Sequence, residues 1–216
     1  MTAPGRPIEA HISAGGHVHL EGSLVVPADP MGVVAFAHGS GSSSLSPRNR
    51  FVAEALQQRG FATLLFDLLT RHEDRDADNR FNINLLTERL LAATRWLENR
   101  SETSTLKMGY FGASTGAAAA LRAAAKIGDK CAAVVSRGGR PDLAGRAPLE
   151  QVTSPTLLIV GGNDGTVIDL NRRAAAFLDC PRELVIVPGA SHLFEEPGTL
   201  EQVARHAADW FGRWLA

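Results

Sequence analysis

The feature that most constrains how this chain can fold is a regular alternation. Short, almost continuous apolar runs are interleaved with segments of helical period. The runs occupy residues 33–37, 62–66, 108–111, 132–135, 156–160 and 184–187, each bounded by Gly, Pro or a charge. A strand exposed on one face alternates apolar and polar residues, whereas a strand covered on both faces has no need to. These runs therefore read as strands of a mostly parallel sheet clothed on both sides. Between them, Leu86, Leu90, Ala93 and Leu97 recur at helical spacing, as do Leu200, Val203, Ala207, Phe211 and Trp214. The segment 47–60 opens on Pro47 and closes on Gly60, the expected punctuation of a helix. Residues 17–27 read as one strand of an N-terminal antiparallel hairpin lying within residues 1–30. Repeated strand–helix units with right-handed crossovers predict a doubly wound α/β sheet of about seven to eight strands. No internal repeat or long linker interrupts the pattern, so one domain is expected over 1–216, without a large lid.

Charge excludes several classes of partner. Lys and Arg number 22 against 23 Asp and Glu, a net charge of −1. No basic footprint for nucleic acid or an anionic membrane is present. No uncharged apolar run approaches the roughly 20 residues of a membrane span, and residues 1–7 lack the apolar centre of a secretory leader. Cys131 and Cys180 have neither CxxC spacing nor a neighbouring His cluster, which points to buried reduced thiols and a cytoplasmic setting. Asp74, Asp76 and Asp78 alternate within 71–80, but the Gly and distal Glu of a calcium loop are missing. That segment reads as a solvated loop at the site rim, and 137–148 as an irregular excursion after a strand.

Open parallel sheets bind ligands beyond the carboxyl ends of their strands. Polar groups collect there: His38-Gly39-Ser40-Gly41, Asp67, Gly112-Ala113-Ser114-Thr115-Gly116, Ser136-Arg137, Asn163-Asp164 and Ser191-His192. A core alone would not require this. The G-x-S-x-G stretch follows a strand and precedes an alanine-rich helix, the context in which such a serine is presented on a strained turn. A hydroxyl needs a base, and His192, after the last strand, suits that role better than the other histidines. Asp164 is the expected carboxylate behind it; Asp169, the competitor, falls within the next helix. Thr115 and Ser40 are the expected oxyanion donors through their backbone N–H groups, with Gly41 in reserve. His38, Gly41 and Arg137 are candidate substrate contacts, although Arg137 could equally be a structural arginine paired with Asp67 or Asp142. The glycine loop meets neither phosphate-binding pattern, because no Gly-Lys-Ser/Thr and no G-x-G-x-x-G is present.

Together these motifs resemble the α/β-hydrolase superfamily from about Val33 onward, and within it the dienelactone hydrolase-like branch. The resemblance implies the α/β-hydrolase fold, hydrolysis of small carboxylic esters through an acyl-enzyme on Ser114, and no metal or organic cofactor. It also implies one departure. Dienelactone hydrolases carry cysteine at the elbow where this chain has Ser114, which favours a general esterase over a dienelactone-specific enzyme. Acyl transfer, peptide cleavage or lyase chemistry would use the same triad, and a non-catalytic binding protein would be expected to have lost a member of it.

Overall fold

The computed structural model describes residues 5–216. The opening stretch 1–4, part of the segment read above for a leader, lies outside it. An eight-stranded sheet has the order β1-β2-β4-β3-β5-β6-β7-β8. Its strands are β1 (Ile8–Ser13), β2 (His19–Val25), β3 (Gly32–Ala37), β4 (Phe61–Phe66), β5 (Met108–Ala113), β6 (Cys131–Arg137), β7 (Thr156–Gly161) and β8 (Arg182–Val187). β1 and β2 form the expected antiparallel hairpin, β2 pairs antiparallel to β4, and every later pairing is parallel. The helices are α1 (Pro47–Gln58), α2 (Ala77–Phe81), α3 (Ile83–Glu98), α4 (Thr115–Ile127), α5 (Arg146–Glu150), α6 (Gly165–Ala175) and α7 (Thr199–Trp214). This is the α/β-hydrolase architecture, with no large lid among the described residues.

The period of two along each strand divides the core. Val33, Ala35 and Ala37 of β3 face α3 and α4, while Val34 and Phe36 face α1 and α7. Every residue of β3, β4, β5 and β7 is buried. Continuous apolar character thus reports two-sided cover. β8 departs from that reading. It is the sheet's edge, Arg182 and Glu183 are exposed, and Ile186 is partly so. Its apolar run comes from pairing with β7 on one side only.

Two segments are more ordered than the sequence suggests. Within 71–80, a 3₁₀ turn (Glu73–Arg75) leads into α2, which Asp76 caps by accepting the Asp78 N–H at 3.0 Å. Arg80 pairs with Asp74, and Arg89 of α3 binds Glu73 at 2.6 Å. Glu73, Asp74 and Arg80 are thus held in ion pairs, while Arg71, Arg75, Asp76 and Asp78 stay exposed as the loop reading expects. After β6, a 3₁₀ turn (Pro141–Ala144) and α5 replace the expected irregular excursion. Among the described residues no helix is long and apolar enough to cross a membrane. Cys131 and Cys180 are unpaired and buried.

Candidate active site

The turn between β5 and α4 is built by close approach. A Cβ on Gly112 would stand 2.5 Å from Ala117 Cα, and one on Gly116 would stand 2.1 Å from the Ala37 carbonyl oxygen. Only glycine lets α4 lie this near β5 and β3. Ser114, between them, is held at φ 50° and ψ −120°. A non-glycine residue there costs about 1–3 kcal/mol and persists only where its surroundings enforce it. Ser114 N–H donates to the Arg137 carbonyl at 3.3 Å, and its own carbonyl accepts from Ala117 and Arg140. The backbone is pinned on both sides while the hydroxyl opens on a cleft of about 300 Å³, which His192 also lines.

His192 and Asp164 are brought together from the ends of β8 and β7. Their side chains share a 2.6 Å hydrogen bond between Nδ1 and Oδ2. An ionised carboxylate only accepts, so the ring proton sits on Nδ1 and leaves Nε2 as the basic nitrogen. Asp164 occupies the N-cap position of α6 but makes no capping bond. Its carboxylate is turned to the imidazole instead. The two loops are laced together, since Asn163 donates through its backbone N–H to Ala190 and through its side chain to Gly189, both at 2.9 Å. Glu196 accepts the Ser191 N–H at 3.0 Å, and this pulls its carboxyl below the usual range. Phe194, buried at φ 56°, closes the turn. Sequence reading named 193–197 only as a pocket-shaping loop, and nothing local marks Phe194 as strained. Asp169 lies exposed on α6, paired with Arg172. No hydrogen bond joins Ser114 Oγ to His192 among the described residues; such contacts commonly tighten only when substrate is bound.

The sequence matches the profile of the dienelactone hydrolase family over residues 20–215. The chain belongs to the dienelactone hydrolase family. A solved structure titled as dienelactone hydrolase from Anabaena variabilis is 53% identical, with a TM-score of 0.93 over 98% of this chain and 99% of that one. Est1E from Butyrivibrio proteoclasticus superposes with a TM-score of 0.81 over 95% of this chain and 98% of its own, at 16% identity, a likeness of fold alone. Two Mycobacterium tuberculosis proteins, from strains CDC 1551 and H37Rv and provisionally named phosphoribosyl transferases, are 58% identical over 208 residues. That alignment takes in 96% of this chain, and the chain spans 46% of the length of those relatives.

In this member of the dienelactone hydrolase family, two expected contacts take other roles. Ser40 N–H donates to the Thr115 hydroxyl at 3.0 Å. It is therefore occupied here in holding the loop against α4, whereas the expectation for Ser40 was an oxyanion donor. The Gly41 N–H, at φ 67°, has no protein acceptor among the described residues, and Thr115 N–H heads α4 with the other first-turn donors. His38, expected as a substrate contact, does not line the cleft that holds Ser114. It is buried, Leu68 N–H donates to its Nε2 at 3.0 Å, and its Nδ1 donates to the Gly39 carbonyl at 2.9 Å. With both nitrogens used, the ring stays neutral. Burial, partly offset by Gly39 and the nearby aspartates, pulls its pKa below 6.5. The geometry makes His38 a strut between the loop after β3 and the end of β4.

Arg137 does line the cleft, beside Ser114, and Arg48 of α1 joins it there. Among the described residues no ion pair joins it to either carboxylate expected as its structural partner. Asp67 accepts the Ser44 N–H at 2.7 Å, and Asp142 pairs with Arg140 at 2.8 Å. Segment 71–80 packs behind His38 rather than on this cleft. A larger groove of about 690 Å³ runs between α1 and β2–β4, with neither Ser114 nor His192 on its walls.

Proposed function

We propose that this chain is a serine hydrolase that cleaves carboxylic esters of small molecules through an acyl-enzyme on Ser114. One observation carries the reading. A serine held at φ 50° shares a cleft with a histidine whose far nitrogen is bound to a carboxylate at 2.6 Å. His192 Nε2 takes the Ser114 proton as Oγ attacks the ester carbonyl carbon. Asp164 keeps the imidazole in the tautomer that can accept and stabilises the imidazolium that forms. The carbonyl oxygen, now negative, receives the Thr115 and Gly41 N–H groups at the positive end of α4. Collapse breaks the C–O bond, and His192 returns the proton to the leaving alcohol. Water, deprotonated by His192, then attacks the acyl-enzyme and releases the acid with Ser114 restored.

Family membership supports hydrolysis, and serine at the elbow supports a broader ester range than the family name suggests. The transferase name of the M. tuberculosis relatives is not carried over, because this chain spans 46% of them and its cleft is arranged around a nucleophilic hydroxyl. The test is turnover of p-nitrophenyl acetate and labelling by a fluorophosphonate, in wild type and in Ser114→Ala. Wild type should turn over and label, and the variant should lose several powers of ten in rate together with the label. Equal rates, or a label retained in the variant, would refute the assignment. Adding a competing alcohol and analysing products separates hydrolysis from acyl transfer.

A further inference from the structure

Resting on the reading of Ser114 as nucleophile, we infer that Asn171 of α6 is a positioning residue for that serine, acting through the turn 137–140. Ser114 keeps its strained φ of 50° because this turn grips its peptide from both sides. The Arg137 carbonyl accepts the Ser114 N–H at 3.3 Å, and the Arg140 N–H donates to the Ser114 carbonyl at 3.0 Å. Between those two contacts lie Gly138 and Gly139, which leave the turn free to move unless something outside holds it. Backbone strain persists only where the surroundings over-determine it, so the turn must itself be fixed.

Two anchors fix it. The Gly138 N–H donates to the Ile159 carbonyl of β7 at 2.8 Å, tying the first half of the turn to the sheet. Gly138 also abuts the base, since a Cβ there would stand 3.0 Å from the His192 carbonyl oxygen and 3.6 Å from its ring. The second half is held by the Asn171 side chain, whose Nδ2 donates to the Gly139 carbonyl at 3.0 Å. Asn171 is fully buried, and the same nitrogen meets the Val167 carbonyl one turn back at 2.8 Å. Its Oδ1, sealed from solvent, has no partner among the described residues. An unpaired buried amide oxygen is unfavourable, and a leucine of the same branched outline would avoid it. What a leucine cannot do is hold the Gly139 carbonyl. The helix that carries Asn171 is capped by Asp164, so one rigid element sets both the carboxylate behind His192 and the turn behind Ser114. Gln57 is the contrast. It is another buried amide, bonded to Thr63 at 2.7 Å, but it lines the larger groove away from the catalytic cleft.

The test separates the rate of fluorophosphonate labelling, kinact, from the affinity of the encounter, KI, in wild type, Asn171→Leu and Gln57→Leu. Asn171→Leu should lower kinact by about 10- to 100-fold, the scale of a misplacement of up to 1 Å, with KI unchanged. Its Tm should stay near that of wild type, because the lost bond is offset by removal of the unpaired Oδ1. Gln57→Leu should show the reverse, a lower Tm with kinact unchanged. Hydrogen exchange at the Arg140 amide should quicken in Asn171→Leu, whereas that of Gly138 stays slow. Should Asn171→Leu not fold, Asn171→Ala, which adds no atoms, gives the same reading. Labelling of wild type and of the folded Asn171 variant at equal rates overturns the role of Asn171 alone. Failure of wild type to take the label overturns the nucleophile reading, and this role with it.

Discussion

Gly116→Ala should separate the two segments proposed to form the oxyanion hole, and its effect can be worked from the backbone. The added Cβ would lie 2.1 Å from the Ala37 carbonyl oxygen and 2.5 Å from that of His38. Real Cβ atoms keep at least 3.0 Å, so β3 and α4 must part by about 0.9 Å. No flexible side chain can absorb this, because both obstacles are backbone. α4 carries Ser114 and the Thr115 N–H at its start, and β3 carries the loop with Gly41. A displacement near 1 Å in a reacting constellation costs about 10²-fold. Overpacking of this kind also costs roughly 1–3 kcal/mol, or about 2–12 °C in Tm for a chain of this size. The assay is kcat/KM on p-nitrophenyl acetate beside thermal unfolding, with near-UV circular dichroism to show that the variant is folded when assayed. Gly212→Ala is the control. It lies in α7 with nothing within 4 Å of a Cβ, so removing glycine there should stabilise by about 0.5–1 kcal/mol. A Gly116→Ala protein with activity within twofold of wild type and an unchanged Tm would refute the reasoning.

Asp164→Asn should lower kcat by about 10⁴-fold with little change in Tm, because the imidazole loses the partner that sets its tautomer; steady-state kinetics and a melt check both halves. Removing the charge of Arg137, whose pKa burial and then Arg48 hold down to about 10, should relieve the opposition between burial and charge. Urea unfolding of Arg137→Met should therefore show a midpoint no lower than wild type, whereas a structural arginine would lower it. His38 sets a pH dependence. The unfolded chain takes up its proton near 6.5 and the folded chain only at lower pH, so its contribution is complete above 6.5 and lost as pH falls below it. The slope of urea stability against pH below 6.5 should be smaller in His38→Asn by up to about 1.4 kcal/mol per pH unit. Cys131, fully buried with its thiol pushed up to about 12, should resist iodoacetamide in the native protein and react on unfolding.

Much of the site was legible because much of it is contiguous. The elbow is a single stretch of chain, in which strand, small residues, serine and helix follow one another, so its geometry is dictated locally. Asp164 and His192 could be named because chain order places each at a strand's carboxyl end. Their hydrogen bond could not be read, since it depends on how the β7 and β8 loops lie across each other. The same limit explains the corrections. Ser40 looks like a free donor in sequence, but folding sets its N–H against Thr115, 75 residues away. His38 looks like a site residue because it sits on the right edge, yet Leu68 arrives from the neighbouring strand's end and turns it into a strut.

By itself, then, the sequence determined the layered α/β architecture, the strand edge where polar groups collect and the identity of the strained serine. These follow from periodicity, turn chemistry and chain order, which act between near neighbours. Only the tertiary structure decided which N–H groups of the 38–43 loop remain free, which strand is the exposed edge, and that Arg137 stands in the cleft without a protein counterion. Those are properties of long-range packing: whether a polar group is satisfied depends on what the rest of the chain brings to it, and that is set when the sheet closes.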